Sequence, residues 1–215
     1  MNYSASRLDM LADGIFAIVM TILVFDIKVP TLDIETNLYA YNYLLKHYPS
    51  FLSYLLSFVT LFTYWRGYHA TVSDFARNAD MKFQNMAGAF LFFVALVPFS
   101  SAFLAKYNNL SAGVTIFAFN VILIGLIMYF MRMYAWKSDK IDNRPITKME
   151  NNHAFVRILT PVFFSIISIW VAQFNTTVAL SVLTIAVMFN LMRKSSHVVT
   201  KIILDKKAES KRKIK

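Results

Sequence analysis

Cysteine is absent from the 215 residues, so neither a disulfide framework nor a thiolate metal site is available. Glycine and proline are scarce, five of each, and no Gly-rich loop of the kind that cradles a phosphate occurs. The four histidines, His47, His69, His153 and His197, are scattered without metal-ligand spacing. No nucleophile elbow occurs, and an enzyme has no constellation of side chains to rest on. Charged residues make up only 16% of the chain and fall between long apolar runs instead of among them.

What is present is apolar. Hydrophobic residues reach 57% and the mean hydropathy is +0.50, above the composition of a soluble domain. A crossing takes about 20 apolar residues, so a chain of this length with short loops has room for roughly six. Six segments are expected, at residues 10–29, 50–68, 83–105, 112–134, 154–174 and 178–192. The first follows Arg7 and Asp9, is too long for a signal-peptide core, and reads as a permanent helix. Pro49 falls near the first turn of the second segment, and Pro98 predicts a kink in the third. The fifth and sixth are joined only by Asn175, Thr176 and Thr177, which predicts an antiparallel hairpin.

The net charge of +10 is a matter of topology. With six crossings, 19 of the 22 Lys and Arg residues fall on one side, and only Lys28, Lys46 and Lys106 on the other. The positive-inside rule then places both termini in the cytoplasm. A concentration of basic residues in certain loops and in the tail argues against a nucleic-acid face. The expected organisation is a transmembrane domain over residues 1–195 and a basic tail over 196–215, whose lysines suit anionic lipid headgroups. No strong internal repeat is visible, which disfavours a two-repeat transporter.

The first segment carries the most information. Asp13 lies inside it, and a carboxylate there costs about 2.5–3.5 kcal/mol on insertion scales unless it is paired or reaches water. Arg7, Arg66 and His69 are candidate partners. Beyond Asp13 no charge occurs until Asp26. Ile18, Thr21 and Phe25 share one helical face, with Gly14 a turn earlier. Around an axis, such a face would present apolar rings and one hydroxyl ring, a surface that can gate by dewetting and contact a partly dehydrated cation. An ordinary packing stripe looks the same from pattern alone. Trp65 and His69 stand four apart on one face of the second segment. The carbonyl-filter motif Thr-Val-Gly-Tyr-Gly is absent, and carboxylates do not cluster inside the apolar runs as an ion-coupled pump would require.

Several of these residues resemble a known family. Arg7, Asp13, Gly14-Ile15-Phe16-Ala17-Ile18, Thr21 and the stretch from Val24 to Pro30 are similar to the first helix of bacterial members of the transmembrane protein 175 family. Residues Tyr48 to Phe58, Trp65, His69, Asn85 and Leu96-Val97-Pro98-Phe99 extend the likeness, which covers about residues 7–106. The resemblance implies an all-α integral membrane protein of six helices per subunit without a re-entrant filter loop. It implies a homotetrameric, potassium-preferring cation channel of the bacterial plasma membrane, with the first helix lining the pore and no cofactor beyond the permeant ion. Ile18 would be the apolar constriction, Thr21 a hydroxyl ring and Phe25 an outer ring, while Arg7, Asp13, Trp65 and His69 would form a supporting polar network. Leu11 and Ala12 depart from the family's Phe and Ser, and Phe25 from its usual aliphatic residue. Two alternatives stay open: a proton-linked secondary transporter with Asp13 and His69 as a protonatable pair, and a non-transporting membrane scaffold.

Overall fold

A computed structural model describes residues 3–28, 36–72, 76, 78–142 and 144–191. Pro30, Arg77 and the basic tail therefore lie outside the described residues, as does the expected domain boundary at 195. Eight α-helices are described: α1 (Ala5–Ile22), α2 (Asn37–Lys46), α3 (Tyr48–Val72), α4 (Met81–Ala95), α5 (Val97–Lys106), α6 (Ser111–Lys137), α7 (Lys148–Ala172) and α8 (Thr176–Leu191). A 3-10 turn, Leu23–Asp26, continues α1. One short antiparallel pair joins β1 (Tyr3–Ser4) to β2 (Asn78–Ala79), with Tyr3 opposite Ala79 and Ser4 opposite Asn78.

Local chemistry sets the helix ends. Asp80 caps α4 by accepting the Phe83 N–H, and Thr147 and Glu150 form a reciprocal capping box at the start of α7. Asn175 accepts the Val178 N–H at 3.0 Å where the chain turns into α8. The third apolar segment is broken into α4 and α5 at Leu96, with Pro98 in the first turn of α5. The proline kink expected near the end of that segment thus falls well inside it. The cause is that Pro98 closes the helix before it and opens the one after it.

Among the described residues, four stretches are long and apolar enough to cross a membrane: Ser6–Asp26, Met81–Lys106, Ser111–Lys137 and Lys148–Val171. Thr176–Met188 is apolar but shorter. α3 has 25 residues, a length of about 37 Å at 1.5 Å per residue, but Tyr64, Trp65, Arg66, Tyr68 and His69 dilute its hydropathy.

The core lies among α1, α3, α4 and α6. Ala12, Phe16, Val19 and Leu23 make the buried stripe of the first helix and its 3-10 extension. Phe16 meets Phe90 of α4, and Phe90 stacks on Tyr68 of α3 with ring centroids 5.2 Å apart. α6 and α7 pack closely at Gly125, where any Cβ would collide with the Val162 side chain and the Tyr64 hydroxyl. Polar ties cross the apolar layers. The Ser53 hydroxyl donates to the Ser101 carbonyl at 2.7 Å, binding α3 to α5, and the Ser168 hydroxyl donates to the Ala179 carbonyl at 2.8 Å, binding α7 to α8.

Candidate functional site on the first helix

α1 has two unlike faces. One is packed against α3 and α4; the other, carrying Gly14, Ile18 and Thr21, is uncovered. Ile18 is 59% exposed and Phe25 76%, large values for apolar side chains on a helix whose opposite stripe is fully buried. From Gly14 to Phe25 this uncovered face carries no charge. The structure thus leaves open the stripe that helical spacing groups together, with one adjustment. Phe25 stands on the 3-10 turn, whose tighter winding rotates it away from the straight α-helical line through Ile18.

Thr21 is the polar member of the stripe. Its hydroxyl lies 2.8 Å from the Ile18 carbonyl and 2.9 Å from the Ala17 carbonyl, so its proton is committed to its own helix. The oxygen keeps its lone pairs and faces outward as an acceptor, the property needed to touch a cation.

The packed side is fastened by polar contacts near the start of α1. The Trp65 indole N–H donates to Asp13 Oδ1 at 2.7 Å. His69 Nδ1 lies 3.4 Å from Asp9 Oδ2, and the Tyr68 hydroxyl donates to the Leu8 carbonyl at 3.4 Å. Trp65 stacks between Phe62 and His69, with centroid separations of 5.7 and 6.0 Å, which holds the indole in position to donate. Asp13 meets its cost of placement through this charge-assisted hydrogen bond.

The expected partners are therefore rearranged. Of the candidate network, Trp65 and Asp13 are brought together, and His69 lies against Asp9. Arg7 is exposed and makes no hydrogen bond or ion pair among the described residues. Arg66 points to a different face of α3, toward α7. Asp9 was the residue that sequence reasoning left without a role. Its signal is a matched spacing: Asp9 and Asp13 are four apart on α1, as Trp65 and His69 are on α3, so antiparallel helices in register pair both at once. Among the described residues no three His, Asp or Glu side chains converge on a metal-sized space.

A bundle of long apolar helices, with one helix half uncovered and uncharged along its open face, belongs to the class of polytopic membrane proteins. A family model described as "Endosomal/lysosomal potassium channel TMEM175" matches residues 7–98. A potassium channel of Chamaesiphon minutus is 32% identical over 178 residues, 77% of this chain and 86% of that protein. A potassium channel of Streptomyces collinus is 31% identical over 137 residues, 62% of this chain and 64% of its own length. The chain belongs to the TMEM175 family, a family of potassium channels and not of enzymes. Its fold is that of the crystal structure of "a lysosomal potassium-selective channel TMEM175 homolog" from Chamaesiphon minutus, with a TM-score of 0.75 at 24% identity, covering 88% of this chain and 97% of that one.

Proposed function

We propose that the protein is a potassium-preferring cation channel in which four copies of α1 surround a central pore. The carrying observation is the uncovered, uncharged face of α1, since a helix locked on one side and bare on the other needs either lipid or further copies of itself. The relatives are named potassium channels, which favours an ion path along that face. In this reading Ile18 forms the narrow apolar ring, Thr21 supplies outward oxygens, and Phe25 rings the far mouth. Trp65 and Asp13, with His69 and Asp9 beside them, hold the lining helix against α3, and Arg7 stands at the near mouth.

The six crossings are α1, α3, the broken α4–α5 unit, α6, α7 and α8. The bias of basic residues toward the side of both termini supports a cytoplasmic placement for them, in a bacterial plasma membrane. Residues 1–195 form the channel unit, and the Lys-rich remainder is an anchor for anionic lipid.

The test is potassium flux into liposomes holding the purified protein, repeated with sodium and with Ile18→Asn. Flux that prefers potassium and changes in the variant is expected. No flux under any gradient, or the same flux and preference in Ile18→Asn, would overturn the pore assignment. Flux driven only by a proton gradient would replace it with the transporter reading.

A further inference from the structure

On the side of α3 turned away from α1, the stripe Thr63, Arg66, Gly67 and Ala70 forms one wall of a cleft of about 70 Å³. Its other walls come from Met128 and Arg132 of α6, from Arg157 and its neighbours on α7, and from Asn190 of α8. Three guanidinium groups therefore meet at one recess, and none of the described residues lining it is acidic.

The three arginines are not equivalent. Arg132 is nearly buried and anchored: its Nε donates to Asn151 Oδ1 at 3.1 Å and its Nη1 to the Ala70 carbonyl at 3.1 Å. It is part of the wall. Arg66 and Arg157 are only half-buried, and their like charges lie close enough to repel each other. Neither guanidinium has a hydrogen-bond or ion-pair partner among the described residues. Two cations facing one another in a partly dehydrated cleft are unfavourable, because little water stands between them to screen the repulsion. Such an arrangement is relieved by an anion that both can reach.

The recess also holds an unspent neutral donor. The Thr63 hydroxyl is buried and has no hydrogen-bond partner among the described residues, whereas the neighbouring Tyr64 hydroxyl is already committed to the Val121 carbonyl. Guanidinium forks match the oxygens of a phosphate in pairs, and a hydroxyl can take a further oxygen.

We propose that this cleft is a phosphate-binding site, with Arg66 and Arg157 as its two chelating arms and the Thr63 hydroxyl as a third donor. The ligand is a tetrahedral phosphate oxyanion, either the headgroup of an anionic phospholipid or a soluble phosphate. It enters from the open side of the cleft and bridges α3 to α7. Because Trp65 and His69 use a different face of α3, occupancy is separable from the contacts that hold α1.

The experiment has two arms on the full chain. In detergent, binding of inorganic phosphate is measured by calorimetric titration. In parallel, native mass spectrometry counts retained phosphatidylglycerol against phosphatidylcholine after exchange from mixed vesicles. The double variant Arg66→Gln, Arg157→Gln is expected to weaken binding by roughly tenfold or more. The double lysine variant, which keeps both charges but loses the forks, should fall between it and the wild type and serves if the glutamine variant does not fold. Lys46→Gln, at the end of α2 and beyond the far end of α3, should bind like the wild type.

Saturable phosphate binding lost in the glutamine variant supports the site with a soluble ligand. Selective retention of phosphatidylglycerol, lost in the same variant, supports it with a headgroup. Absence of both, equal binding in the glutamine and wild-type proteins, or an equal loss in Lys46→Gln overturns the proposal.

Discussion

The side-chain amide of Asn190 donates to the backbone carbonyl of Arg157 across 3.0 Å, tying α8 to α7. That carbonyl lies four residues before Pro161, inside α7, where a helical N–H would ordinarily reach it. Proline has no proton to offer. Asn190, only 2% exposed, supplies from the next helix the donor that α7 lacks. Replacing Asn190 by Leu should destabilise the fold by about 1–3 kcal/mol, the cost of a buried unsatisfied carbonyl. Pro161→Ala in the same background should restore part of the loss, since alanine brings the missing N–H. Thermal unfolding of the two single variants and the double variant measures the coupling. Simple additivity would show that the amide is not answering the proline.

Trp65→Phe keeps the aromatic stack but removes the donor to Asp13. A loss of about 1 kcal/mol is expected, below the range usual for a bond to a charged group because Asp13 is exposed. Ile18→Val, on the uncovered face of the same helix, should leave the melting temperature of the isolated subunit within a degree or so. Equal losses in the two variants would show that α1 is not fastened through Asp13.

Gly125→Ala should be severe for its size. The added methyl meets Val162 and the Tyr64 hydroxyl, and overpacking of this kind costs about 1–3 kcal/mol. Val162→Ala alone leaves a cavity, but combined with Gly125→Ala it frees the space that the new methyl needs. The double variant should therefore be more stable than the sum of the single changes implies, as read by denaturant or thermal unfolding.

Asp80 lies just before α4, outside the apolar spans. Partial burial alone would raise its pKa. The Tyr134 hydroxyl, the Phe83 N–H and the nearby Lys140 and Lys82 outweigh it, and the carboxyl sits below its ordinary value of 3.8. A depressed carboxyl stabilises the fold fully above pH 3.8 and loses that contribution as pH falls through the still lower folded value. The stability gap between wild type and Asp80→Asn should hold constant from neutral pH down to about 4 and close below it. A gap that narrows between about pH 7 and 5 would contradict this account.

Long apolar runs declared themselves by hydropathy, and the short link from Asn175 to Thr177 announced the α7–α8 hairpin, because both signals are local. α2 was not legible: its ten residues are too few to cross, and Leu38, Tyr41 and Leu45 are all exposed, so no buried stripe marks it. Period alone groups Gly14, Ile18 and Thr21 on one face of α1, but whether that face is packed or open depends on its neighbours. Phe25 was placed less well, because a switch to 3-10 winding depends on what packs around Leu23, which is fully buried. The pairing of His69 with Asp9 required the register of two antiparallel helices, a long-range quantity. The service that Asn190 renders to α7 joins residues 33 apart in sequence, and only packing brings them together.

The two-residue pairing of β1 with β2 has a mechanical consequence. It pins the start of α1 to the segment that leads into α4, while Trp65 and Tyr68 grip α1 a few residues further along. Sliding α1 along its own axis would have to break the strand pair and the α3 clasp in one stroke. Tilting α1 together with α3 and α4 breaks neither. If Ile18 rings a pore, as proposed above, its widening is expected as a tilt of the three helices together and not as the stroke of a piston.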